Sequence, residues 1–79
     1  MVRFTLRDGR RAASIRMEMP ESEKIEELRE TVEEYWGDGR VLLVRDYMVL
    51  DPEKNIGDSV DENDVIDVIP YMGTKISAR

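Results

Sequence analysis

The chain has no cysteine and no histidine. Without thiols it can build neither a disulfide framework nor a thiolate nucleophile. With imidazole missing too, the usual zinc and iron–sulfur ligand sets and histidine-based acid–base catalysis are excluded, so no metal and no cofactor is expected. Long apolar runs are also missing. None approaches the roughly 18 residues that mark a membrane-spanning helix, and no membrane association is expected. The first residues do not lead from a charged segment into an apolar one. Val2, Phe4 and Leu6 already alternate with polar residues there, so no signal peptide is read and the cytoplasm is the expected location.

What is present is a single small domain. Seventy-nine residues, 41% hydrophobic and 38% charged, have an ordinary globular composition. A domain of this size buries only about 60% of the surface its unfolded chain exposes, so there is no room for a second core. The net charge of −6 is unevenly spread: residues 1–20 carry +3, residues 21–39 carry −6 and residues 40–79 carry −3. Nucleic acid calls for a broad positive surface, which five arginines beside a large acidic excess do not supply.

Val2, Phe4 and Leu6 alternate with Arg3, Thr5 and Arg7, the period of a strand with one buried face. Asp8-Gly9 reads as a tight hairpin turn. Ala13, Ile15, Met17 and Met19 then alternate with Ser14, Arg16 and Glu18, giving a second, antiparallel strand that Pro20 ends. From Ser22, read as the N-cap, the period becomes helical. Ile25, Leu28, Val32 and Tyr35 or Trp36 form one narrow stripe, acidic residues fill the first turn, and Gly37 suits the C′ position. Tyr35 and Trp36 are expected at the core or its edge, and the glutamates opposite the stripe are expected to face solvent without partners.

Val41-Leu42-Leu43-Val44 predicts a third strand and Met48-Val49-Leu50 a shorter fourth. The connection 51–64 is too long to be structureless, and Ile56 and Val60 at helical spacing predict one packed helical turn within it. The acids Asp58, Asp61, Glu62 and Asp64 lack calcium-loop spacing and read as a solvated turn. In the last strand Asp67 must face water. Ile66 and Val68 therefore point inward, while Val65 and Ile69 share the outer face with Asp67. One helix for about five strands predicts an α+β fold, a mixed sheet of four to five strands packed on that helix, with the last strand parallel to the first at the sheet centre.

Across residues 1–70 this order of elements resembles the ubiquitin-like β-grasp family. The segment Leu50-Asp51-Pro52-Glu53-Lys54-Asn55-Ile56-Gly57 and the ending Glu62-Asn63-Asp64-Val65-Ile66-Asp67-Val68 are similar to the corresponding parts of the small ubiquitin-like modifiers. The resemblance implies a β-grasp domain over 1–70 and a flexible tail over 71–79. It does not imply one function, because this fold serves modifiers, sulfur carriers, adaptors and enzyme subunits. Conjugated and sulfur-carrier members end in Gly-Gly, whereas this tail has the single Gly73.

By the same resemblance, the apolar recognition patch on the outer sheet face maps to Leu43 and Ile69, bordered by Arg3, Arg7, Arg16 and Arg45. The expectation is a monomeric, non-enzymatic, non-conjugated module that docks a protein partner through this face. The alternatives are a modifier or sulfur carrier processed at Gly73, and a small accessory subunit of a multi-component enzyme.

Overall fold

A computed structural model describes residues 1–37 and 39–71. Gly73 and the rest of the segment 72–79 lie outside the described residues, and with them the expectation of processing at Gly73. The elements in order are β1 (Val2–Asp8), β2 (Ala13–Met19), α1 (Ile25–Trp36), β3 (Val41–Arg45), β4 (Met48–Val49), α2 (Ile56–Ser59) and β5 (Val65–Pro70). The strands form one mixed sheet of order β2-β1-β5-β3-β4. β5 runs parallel to β1 and antiparallel to β3, at the centre where its Ile66 and Val68 can be covered completely.

The inner face of the sheet carries Phe4 and Leu6 of β1, Ile66 and Val68 of β5, and Val41 and Leu43 of β3. α1 lies over them and adds Ile25, Leu28 and Val32; Ile56, Val60 and Leu50 close the lower end of the same cluster. Burying side chains of this size stabilises by about 1.5–3 kcal/mol each before the entropy of ordering is subtracted. α2 is the packed turn that the spacing of Ile56 and Val60 predicts. Its Gly57 passes so close to Glu21 that a Cβ there would meet the Glu21 Cβ at 2.9 Å.

Helix α1 starts later than its polar residues suggest. Lys24, not Ser22, is the N-cap residue, and no side chain caps it. The N–H groups of Ile25 and Glu26 instead donate to the carbonyls of Lys54 and Pro52, at 2.9 and 3.0 Å, so backbone from the connection does the work of a capping hydroxyl. Gly37 ends the helix as expected, at φ 68°, donating to the Glu33 carbonyl. Trp36 packs against the core, whereas Tyr35 is 64% exposed and only touches the Trp36 ring edge-on. Nor is the glutamate face without partners. Arg29, mostly covered, reaches Glu26 at 2.5 Å and Glu33 at 2.6 Å, and Glu33 also accepts the Val41 N–H. Arg29 holds the Glu26 carboxyl below its ordinary range, while partial desolvation, then the charges of Glu26 and Glu27, push Glu30 above it.

The first hairpin also differs from its expected form. Asp8 belongs to β1, not to the turn, and is fully buried. The loop is 9–12, closed by Ala12 at φ 53°. The inward parity of Leu6 continues to Asp8, and burial is tolerated because its carboxylate accepts the Arg10 N–H at 3.0 Å and Arg11 Nε at 3.2 Å. Arg11 continues to the Trp36 carbonyl at 3.1 Å, with its guanidinium 5.9 Å from the Trp36 ring centre. The loop is thus fastened to the end of α1.

Candidate protein-binding face

Strand alternation leaves Arg3, Thr5, Arg7, Ser14, Arg16, Glu18, Val65, Asp67, Ile69, Leu42, Val44 and Val49 on the outer face. The register arranges them in rows: Leu42 opposite Ile69; Val49, Val44, Asp67, Arg7 and Ser14 across all five strands; Val65, Thr5 and Arg16; and Arg3 opposite Glu18. One half of the face, on β3, β4 and β5, is therefore aliphatic, and the other half, on β1 and β2, is charged. No element covers the aliphatic half, and Val49, Val65 and Ile69 are exposed.

Leu43, expected in this patch, is only 2% exposed and sits in the core opposite Val68. The run Val41-Leu42-Leu43-Val44 has no polar residue to show its parity. Leu43 faces inward because Val41 and Leu43 meet the covered side of β5, and the Leu50 N–H donates to the Leu43 carbonyl at 2.8 Å. Its neighbours Leu42 and Val44 take the outer positions instead. Ile69 is where it was expected, 43% exposed and paired with Leu42. The outer residues that the sequence reading left out of the patch, Leu42, Val44 and Val49, carried one usable signal: fixing Ile69 outward and counting across the β5–β3 register selects Leu42.

The four arginines do not form a free cationic rim. Arg3 pairs with Glu62 at 2.8 Å, Arg7 clasps Asp67 at 2.8 and 3.3 Å, and Arg16 reaches Asn63 at 3.4 Å. These pairs are exposed, and such pairs stabilise little. The Glu62 carboxyl is held below its ordinary range by the Arg3 N–H and then by the Arg3 side chain. Arg45 is a second correction, since it shares the parity of Val41 and Leu43 and turns away from the patch. It donates to the Ser59 carbonyl and to Asp61, both at 2.9 Å. Its Nε lies 2.8 Å from Asp64 but off the N–H axis, so that contact is coulombic rather than a hydrogen bond. The acids after α2 are thus the anchor of Arg45, with Asp64 also accepting the Asp61 N–H. Among the described residues no group of three or more acidic side chains could hold a metal ion, and no helix is long and apolar enough to cross a membrane.

An α1 helix gripped by a five-stranded mixed sheet with a central parallel pair of β1 and β5 defines the ubiquitin-like β-grasp fold. The comparison with solved structures agrees. Over 89% of its length the chain superposes on the N-terminal ubiquitin-like domain of the 4931431F19Rik protein, with TM-score 0.74 and 10% identity, covering 74% of that chain. It also superposes over 99% of its length on ATBAG1, solved in complex with HSP70, with TM-score 0.80 and 15% identity, and spans 45% of that chain. No protein-family model and no curated protein matches the sequence. At these identities the likeness is one of fold.

Proposed function

We propose that the chain is a non-conjugated, non-enzymatic protein-interaction module of the cytoplasm, and that it docks a partner through the aliphatic half of its outer sheet face. The observation that carries this reading is Leu42, Val44, Val49, Val65 and Ile69 gathered on a rigid sheet with nothing covering them. Folding does not require five aliphatic side chains there, and a patch of this kind beside a polar rim is what a protein contact uses. A likeness to ATBAG1, solved in complex with HSP70, supports a role in protein contacts without naming the partner. The single Gly73 supports binding over attachment, since activation of a modifier relies on two terminal glycines.

The test is the double variant Val44→Asp with Ile69→Asp in partner capture from the native cell, followed by quantitative binding to the captured protein. Binding should fall at least tenfold while the circular dichroism spectrum stays that of the parent. Unchanged binding by the folded variant rules this face out.

A further inference from the structure

Tyr47 has no role in folding that its surroundings explain. It stands at the tip of the two-residue turn between β3 and β4, at φ 70° after Asp46 at φ 51°. Such turns favour Asn-Gly, because both central positions lie in the left-handed region that a Cβ opposes. The Tyr47 side chain is fully exposed, at 102%, and among the described residues it has no hydrogen-bond, ionic or ring partner. The chain accepts backbone strain to hold a large amphipathic ring in water.

Beside that ring lies an open depression of about 770 Å³. Val44, Val65, Ile69 and Pro70 contribute its apolar lining, Arg7 and Arg10 line its other side, and Tyr47 itself forms part of the wall. A protruding group and a receptive hollow therefore share one face, which is the condition for a self-complementary contact about a two-fold axis. An aromatic ring is the side chain best suited to such a site, since it can bury apolar area below and meet guanidinium groups at its face.

We propose that a second copy of this chain occupies the face, each Tyr47 entering the hollow of the other copy. Charge selects this arrangement over others. Residues 21–39 carry the whole net charge of −6 and include α1, which lies on the opposite side of the sheet. On the outer face the charges are matched within the chain by Arg7 with Asp67 and Arg3 with Glu62. Face-to-face pairing keeps the two acidic helices apart, whereas any pairing through α1 brings like charges together. One hairpin tip and half a sheet face fall below the roughly 800 Å² per partner of a standard interface, so the dimer is weak and reversible. It covers the surface assigned above to partner docking, so self-association and docking compete. The pairing itself does not depend on that assignment.

Sedimentation equilibrium of the full chain tests this. The parent should be monomeric near roughly 10 µM and shift toward the dimer mass near roughly 1 mM, the range of contacts this small. Tyr47→Gly, with a melting temperature no lower than the parent, and Ile69→Glu should each weaken association at least tenfold. Tyr35→Ser, which removes an exposed ring from the helix, should leave it unchanged. An equimolar mixture of the Tyr47→Gly and Ile69→Glu variants should associate more strongly than either alone, because the mixed dimer keeps one intact ring and one intact hollow facing each other. A monomer at every concentration overturns the proposal, as does a Tyr35→Ser effect equal to that of Tyr47→Gly, or a mixture no stronger than its components. A chain that stays monomeric yet still loses its partner through Val44→Asp with Ile69→Asp removes the dimer and leaves the docking function standing.

Discussion

The two hairpins of this sheet are built on opposite plans. The β1–β2 loop is basic and fastened down: Asp8 is buried beneath it, and Arg11 ties it to the carbonyl and ring of Trp36. The β3–β4 turn is short and strained, and carries Tyr47, Met48 and Val49 into solvent in succession. Where the chain spends its charged side chains on its own structure, no surface is left to offer. Where it leaves apolar side chains unattached on a stiff turn, the surface is available to another molecule.

This contrast can be broken at several points. Leu43→Ala opens a cavity inside the second hairpin, and urea denaturation should show a loss of about 3 kcal/mol. The adjacent outward change Leu42→Ala should cost well under half of that, and equal losses would mean that the two faces are not distinct. Asp8→Ala leaves the Arg10 N–H and the Arg11 guanidinium without their buried acceptor, with an expected loss of about 2 kcal/mol by the same measurement. If it costs less than about 0.5 kcal/mol, the first loop is not anchored as described. Tyr47→Gly should have the opposite sign, raising stability by about 0.5–1 kcal/mol because glycine relieves the left-handed turn. A lower melting temperature would show that Tyr47 holds the fold together.

The smallest expected effect is in the pH dependence. Glu62 and Glu26 have folded values below their ordinary ones, so their contribution is present above the ordinary carboxylate range near pH 4.5 and is lost as the pH falls through the lowered values. Glu30 is raised, so its contribution is present below that range and disappears as the pH rises through its folded value. Glu62→Gln should therefore flatten the acid limb of a stability–pH curve, and Glu30→Gln should lift stability at neutral pH; an unchanged acid limb in Glu62→Gln would show that Arg3 does not hold this carboxylate in solution.

Much of the fold was readable from periodicity. Alternation in β1 and β2, the stripe Ile25, Leu28 and Val32, the packed turn at Ile56 and Val60, and the inward Ile66 and Val68 each follow from local rules and are found in place. The candidate site was half readable. Ile69 could be oriented because Asp67, two residues earlier, fixes the parity of β5. Leu43 could not, because four apolar residues in a row fit either parity, and only the pairing with β5 and the bond from Leu50 decide it. The arginine pairs escaped for another reason. Arg3 and Glu62 are 59 residues apart and Arg7 and Asp67 are 60 apart, so their meeting is a product of topology. Asp8 was placed in a turn because Asp-Gly is a common turn pair, and nothing local reveals that two arginines fold back over it.

The central position of β5 also sets the order in which the domain can be completed during synthesis. Both of its neighbours, β1 and β3, emerge from the ribosome before it, and each must wait with an unsatisfied edge and an open apolar row. The early hairpin and the helix can form locally, but the sheet cannot close until the residues Val65–Pro70 have been made. The nascent chain therefore passes through a stage in which the two halves of the sheet have no strand between them, the interval in which chaperone capture or edge-to-edge misassembly would act on it.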